Sequence, residues 1–231
     1  MRLYHGSIYK IESPKLSVGK VNNDFGQGFY CTEDFDLAAE WACQKNLPGF
    51  VNSYELDLDK LNVLDLLDGN YSVLHWIALL LQNRIFNKGS VLAEDIFNYL
   101  LDNYALDLSG YDVIIGYRAD DSYFSYASSW LNNGMTIQSL SKALRLGDLG
   151  EQIVLKSQKA FDNLHFFSAE NANNDIYYKK FIARDTTART NYKKMVKKDS
   201  SPTEGIYAID LLRGGFVSND SRLRSIILKR C

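Results

Sequence analysis

Apolar and polar positions change period along the chain, and each change marks an element. Arg2-Leu3-Tyr4-His5 reads as a short strand that stops at Gly6, and residues 28–32 read as a second strand opened by the turn Gly26-Gln27-Gly28. Over 35–46 the period becomes helical: Leu37, Ala38, Trp41 and Ala42 share one face, with Asp34 or Thr32 where a cap belongs. Residues 51–58 alternate apolar and polar as a half-buried strand does, and 62–66 suit a short continuation. Helical spacing returns over 71–86 (Leu74, Ile77, Leu81, Ile85) and 90–102 (Leu92, Ile96, Leu100), divided at Gly89 and Ser90. Tyr111 to Tyr117, with Val113, Ile114 and Ile115, is the strongest strand signal.

Beyond it, a tyrosine-rich helix (Tyr123, Tyr126, Trp130) and another from Thr136 to Leu146 precede Gly147 and Gly150, which frame a strand over 151–156. Leu164-His165-Phe166-Phe167 is one more strand, and after residue 168 the character changes. One or two helices follow, then the turn Ser200-Ser201-Pro202 and a terminal piece rich in Leu and Ile. Short strands with helices set between them predict an α+β fold, not a regular alternating parallel sheet.

Composition adds bounds. The 231 residues, 46% hydrophobic and 23% charged, suffice for one well-buried domain with an appended lobe. Cys31, Cys43 and Cys231 form no C-x-x-C pair and read as reduced thiols of a cytoplasmic protein. No apolar run follows the charge at Arg2, and the most apolar stretch, Val73 to Leu81, is interrupted by His75 and too short to span a bilayer. A soluble protein without a membrane partner is expected.

The net charge of −2 hides an asymmetry, with 18 acidic and 9 basic residues in 1–121 but 10 acidic and 17 basic in 122–231. Two attracting halves of one fold, or steering of an anionic partner, both fit. Residues 175–198 hold eight Lys or Arg against two Asp, with Tyr177, Tyr178, Phe181 and Tyr192 interleaved. Contacts to nucleic acid, a solvated helix face and a dock for an acidic partner are the three readings of that segment.

The chemistry-bearing residues are few. There is no phosphate loop, no G-x-S-x-G elbow and no H-E-x-x-H pair, and His5, His75 and His165 are too dispersed to suggest a metal site. His75 lies inside a helix and suits packing or the surface. His5 offers a donor and an acceptor at a strand end, glycines allow close backbone approach, and Tyr30 offers a flat ring. Glu151 and Gln152 open a late strand, where the pleat sends them to opposite faces. Glu151 is in phase with Ile153 and Leu155, and Gln152 with Val154. Asp120 and Asp121 suit either a site carboxylate or a cap for the helix at Ser122.

Five stretches in order, Leu3-Tyr4-His5-Gly6-Ser7, Asp24-Phe25-Gly26-Gln27-Gly28-Phe29-Tyr30-Cys31-Thr32, Tyr111 to Gly116, Ala119-Asp120-Asp121 and Glu151-Gln152-Ile153-Val154, carry a resemblance over residues 1–167. The chain resembles the ADP-ribosyltransferase superfamily in its His-Tyr-Glu branch, which includes diphtheria-toxin-like and poly(ADP-ribose)-polymerase-like enzymes. More closely, it is similar to an uncharacterised bacterial family placed there and often found in toxin–antitoxin-like gene pairs. The resemblance implies a split β-sandwich around an NAD cleft with inserted helices. The change of character after residue 168 predicts a division into a domain over 1–168 and a basic, mainly helical extension over 169–231 packed on it.

On that resemblance His5 bonds a ribose hydroxyl of NAD, the Gly6 backbone holds the nicotinamide amide, Tyr30 stacks on the nicotinamide ring, and Ser7 and Gly28 also bind the cofactor. The branch ends its pattern in a glutamate, whereas Gln152 is in register here. Glutamine orients a hydroxyl but carries no charge, so Glu151, Asp120 or Asp121 are candidates for the carboxylate. Arg118, Asp120 and Asp121 would line the acceptor side. The implied activity is NAD-dependent mono-ADP-ribosylation of a protein or nucleic acid by a toxin or defence effector, with an antitoxin partner. NAD hydrolysis, or a catalytically silent NAD-binding sensor or interaction module, are the alternatives.

Overall fold

The computed structural model describes residues 1–45, 47–86, 90–119, 121–146, 150–199, 205–214 and 220–230. Gly89, Asp120, Gly147, the Ser200-Ser201-Pro202 turn and Cys231 lie outside these residues, as do the side chains of Asp121, Tyr123 and Tyr192. In chain order the strands are β1 (Arg2–Ser7), β2 (Phe29–Cys31), β3 (Gly49–Leu56), β4 (Val63–Asp65), β5 (Asp68–Ser72), β6 (Val113–Tyr117), β7 (Glu151–Leu155), β8 (Leu164–Ala172) and β9 (Ile227–Lys229). The helices are α1 (Phe35–Ala42), α2 (Val73–Asn83), α3 (Val91–Tyr104), α4 (Asp121–Leu131), α5 (Ile137–Leu146), α6 (Gln158–Asp162), α7 (Asn174–Asp199) and α8 (Ala208–Leu212). The architecture is mixed, in keeping with an α+β fold.

The pleat builds the layers. One sheet runs β1-β3-β8, and the other runs β2-β7-β6-β4. Leu3, Tyr54 and Leu56 of the first meet Phe29, Cys31, Val113, Ile115, Ile153 and Leu155 of the second in one buried cluster. The alternate residues Ile114 and Val154 point the other way, into the core of α2–α5. Tyr4 and Val51, on the outer side of the first sheet, pack on Ala38, Ala39 and Ala42 of α1. The order is therefore helix, sheet, sheet, helices.

Several elements differ from the sequence expectation. Residues 68–72 are a strand before α2 starts, because Gly69 takes a positive φ of 94° and turns the chain there. His75 shapes the start of that helix: its Nδ1 accepts the Ser72 N–H at 3.1 Å and closes a capping box. Residues 63–65 do not extend β3 but join the other sheet, parallel to β6, with α2 and α3 making the crossover. α1 ends at Ala42, short of 46, where Gln44 and Leu47 pair across a turn.

A boundary at 168 falls inside β8. Ile206, Ala208, Leu211, Leu223, Ile226 and Leu228 enter the same core as α2 and α3, and β9 pairs with β5. The chain end thus completes the main core. Residues 174–199 form a single helix, α7, lying against α1. Among the described residues, no helix is long and apolar enough to cross a membrane.

Candidate active-site cleft

The two sheets touch where Tyr4 and Thr32 exchange backbone hydrogen bonds of 2.8 and 2.9 Å. Past this bridge β1 pairs on with β3, while β2 pairs with β7, and the sheets part. The gap is a cleft of about 1170 Å³, lined by His5, Gly6 and Ser7 on β1 and by Gly28, Phe29 and Tyr30 at β2. Gln152, Asp24, Arg84 and Arg118 also reach it. Trp41 of α1 and Phe181, Asp185 and Arg189 of α7 form a further wall. One face of the basic helix therefore serves the cleft, since residues four apart on a helix lie in line.

His5 spans the parting strands: its Nδ1 lies 2.7 Å from the Tyr30 carbonyl oxygen, and its ring stacks on Phe29 at 4.3 Å. A carbonyl only accepts, so Nδ1 carries the proton and, in the neutral ring, Nε2 is the acceptor. Burial lowers the His5 pKa from its usual value, against a smaller opposing effect of that bond. The ring is neutral at physiological pH.

Tyr30 is fixed at both ends. Its backbone pairs with Val154, and its hydroxyl donates to the Gly26 carbonyl at 2.6 Å and accepts the Phe25 N–H at 3.0 Å. Gly26 has a positive φ of 76°, and Lys156 Nζ ties down the carbonyls of Phe25 and Gln27 at 2.7 and 2.6 Å. The glycine turn is thus built around the tyrosine hydroxyl as well as beside its ring. Burial pushes that hydroxyl's pKa up.

Gln152 and Glu151 part as the pleat requires. Gln152, opposite Gly116, is only 2% exposed and donates Nε2–H to Asp24 Oδ2 at 3.1 Å. Glu151 is turned instead to Arg230, whose Nε lies at 3.2 Å and whose Nη2 also holds Asp65 at 2.7 Å. Its carboxylate is not among the described groups lining the cleft, because at the first strand residue it bends out to Arg230. Arg118 does line the cleft, with its guanidinium 5.1 Å from the Trp41 ring. Asp120 lies outside the described residues, and Asp121 begins α4 with its side chain also outside them.

Sequence reasoning assigns no role to Asp24. It is 7% exposed and takes three donors: the Ala119 N–H at 2.8 Å, Arg84 Nη1 at 3.0 Å and Gln152 Nε2 at 3.1 Å. Burial raises its pKa above the ordinary carboxylate value, while the Ala119 bond, the Arg84 charge and the Gln152 bond oppose the rise. The one signal in the sequence is an aspartate two residues before the glycine turn, at the head of the second motif. Among the described lining residues, Lys15, Lys20, Arg84, Arg118 and Arg189 outnumber Asp24 and Asp185, so the cleft favours anions.

Cys31 points into the core between the sheets, away from the cleft, and burial pushes its thiol pKa up, which suits a packing residue. Among the described residues no cluster of His, Cys, Asp or Glu is arranged to hold a metal ion. No curated protein and no solved structure matches the chain. The family described as Protein of unknown function (DUF3990) matches residues 1–166, and with most of its length covered the chain belongs to that family.

Proposed function

We propose that this protein is a cytoplasmic, NAD-dependent mono-ADP-ribosyltransferase with a split two-sheet sandwich of the ADP-ribosyltransferase kind. The observation that carries the reading is the convergence of His5, Tyr30 and Gln152, from three separate strands, on one cleft where two sheets part. Neutral His5 offers Nε2 to a ribose hydroxyl, and the backbone of Gly6, which lines the cleft, would hold a nicotinamide amide. Tyr30 offers its ring face, and Ser7 and Gly28 line the same cleft. An excess of cations in the cleft suits a ligand with two phosphates.

Gln152 would orient the 2′-hydroxyl of the nicotinamide ribose. The bond from ribose C1′ to the nicotinamide nitrogen then breaks, and its electron pair leaves with nicotinamide. An acceptor nucleophile on a protein or nucleic acid forms the new bond at C1′ and gives up its proton. Arg118, over Trp41, and the α7 wall would meet that acceptor. A toxin or defence role follows from the resemblance, and exposed Lys179 and Lys193 of α7 would face an acidic antitoxin.

Incubation with labelled NAD and cell lysate tests the proposal. Label on macromolecules supports the transferase, and nicotinamide release without labelling supports an NAD glycohydrolase with water as acceptor. Saturable binding with neither supports a silent sensor, a reading that Gln152 in place of a carboxylate favours. Absence of NAD binding overturns all three.

A further inference from the structure

We infer, on the basis of the function proposed above, that Asp24 is the positioning residue of the site, setting the Gln152 amide and supplying the negative charge that Gln152 lacks. All three groups that Asp24 accepts from are N–H donors, a set that fits an ionised carboxylate, which has no proton of its own to place. A carboxylate serving only to pair Arg84 could do so from the surface, where its hydration would be kept. Asp24 is instead buried, lines the cleft, and bonds the residue at the third catalytic position.

The bond has a direction. Gln152 spends Nε2–H on Asp24, so its Oε1 is the end of the amide that accepts a ribose hydroxyl. Without the carboxylate the amide can turn over and present N–H in its place. As the C1′–nitrogen bond breaks and its electrons leave with nicotinamide, positive charge develops on the ribose. Ionised, Asp24 would be an anion one side chain away from that charge. The Arg84 guanidinium and the Ala119 N–H bond it in place. Two residues thereby do the work of one glutamate: Gln152 reaches the hydroxyl and Asp24 carries the charge.

Turnover and affinity separate this role from a purely structural one. Asp24→Asn should lower nicotinamide release by about 100-fold while NAD affinity by calorimetry stays within several-fold, because charge matters at the transition state more than in the ground state. Adding Gln152→Glu to it moves the carboxylate to the reaching position and should recover at least about 10-fold of the loss. Undiminished release in Asp24→Asn, or a folded double variant with no recovery, overturns the inference. Should Asp24→Asn not fold, Gln152→Glu alone carries the test. A second carboxylate beside Asp24 must move the acid limb of the pH–rate profile upward, and an unmoved limb overturns the pairing. Wild-type protein that binds no NAD overturns the proposed function and this inference together. Wild-type turnover with an unaffected Asp24→Asn overturns this one alone.

Discussion

Arg184, midway along α7, holds Glu40 of α1 through two bonds, Nε–H to Oε2 at 2.9 Å and Nη2–H to Oε1 at 3.0 Å. Glu40 is 4% exposed and Arg184 is half-buried, so the fork holds the long helix beside the cleft from a buried carboxylate. Removing one partner strands the other charge. Arg184→Ala should cost about 3–5 kcal/mol, read as a lower denaturant midpoint, and should open α7 to proteolysis. A midpoint within error of wild type would mean that Tyr177 and Tyr178, packed on the α1 cluster, and Ala188, buried in the main core, dock α7 without the pair.

The stacking role expected of Tyr30 needs its ring and not its hydroxyl, but the hydroxyl organises the Gly26 turn. Tyr30→Phe should therefore lose about 1–3 kcal/mol of stability, because the Phe25 N–H loses its acceptor. NAD affinity should stay within a few-fold. Tyr30→Ala removes the stacking face as well and should cost at least about 10-fold in affinity. Equal melting temperatures for Tyr30→Phe and wild type would remove the hydroxyl's role in the turn.

His5 sets a pH dependence of known sign. Its folded pKa lies below the ordinary histidine value, so the unfolded chain takes up a proton first as pH falls. Stability is unaffected above that ordinary value and declines as pH drops from it toward the folded pKa. Binding follows the same course: protonation turns Nε2 from acceptor to donor, so NAD affinity should be flat above neutrality and fall on acidification. His5→Ala should abolish that dependence and weaken binding at neutral pH. Calorimetry from about pH 8 down to about pH 5 reads both effects, and a titration whose acid fall survives in His5→Ala would assign it to another group.

β6 and β7 are legible in the sequence because both faces of these second-sheet strands are buried. Val113, Ile114 and Ile115, and Ile153, Val154 and Leu155, are continuous apolar runs, and the phase of the second puts Gln152 and Glu151 on their observed sides. β5 and β9 escape because neither shows alternation: β5 reads Asp-Gly-Asn-Tyr-Ser, and β9 is three residues near the chain end. α6 is hidden by its five-residue length. Asp24 escapes for another reason. Its partners lie 60, 95 and 128 residues away, and no local pattern encodes contacts at that range.

Gly6 offers a test in which geometry and the proposed NAD pocket make the same demand. It is not a residue of unusual backbone angle; its need for glycine comes from what lies over it. A Cβ built there would stand 1.9 Å from the Ala38 carbonyl oxygen, 2.6 Å from the Ala42 nitrogen and 2.9 Å from the Trp41 Cβ. Two of the three are backbone atoms of α1, which cannot swing aside as a side chain tip would. Gly6→Ala must therefore lift β1 from α1 or shift α1 itself, at a cost of at least about 1–3 kcal/mol. Either movement displaces Trp41, and with it the wall on which Arg118 rests. Gly110 is the matched control, because a Cβ there meets nothing within 4 Å and no positive φ is involved. Gly110→Ala should leave the melting temperature within about a degree or two, consistent with a surface change of under about 0.5 kcal/mol. Gly6→Ala should lower both the melting temperature and NAD affinity. If it keeps its affinity despite a lower melting temperature, β1 can move against α1 without disturbing the pocket, and Gly6 then serves packing alone.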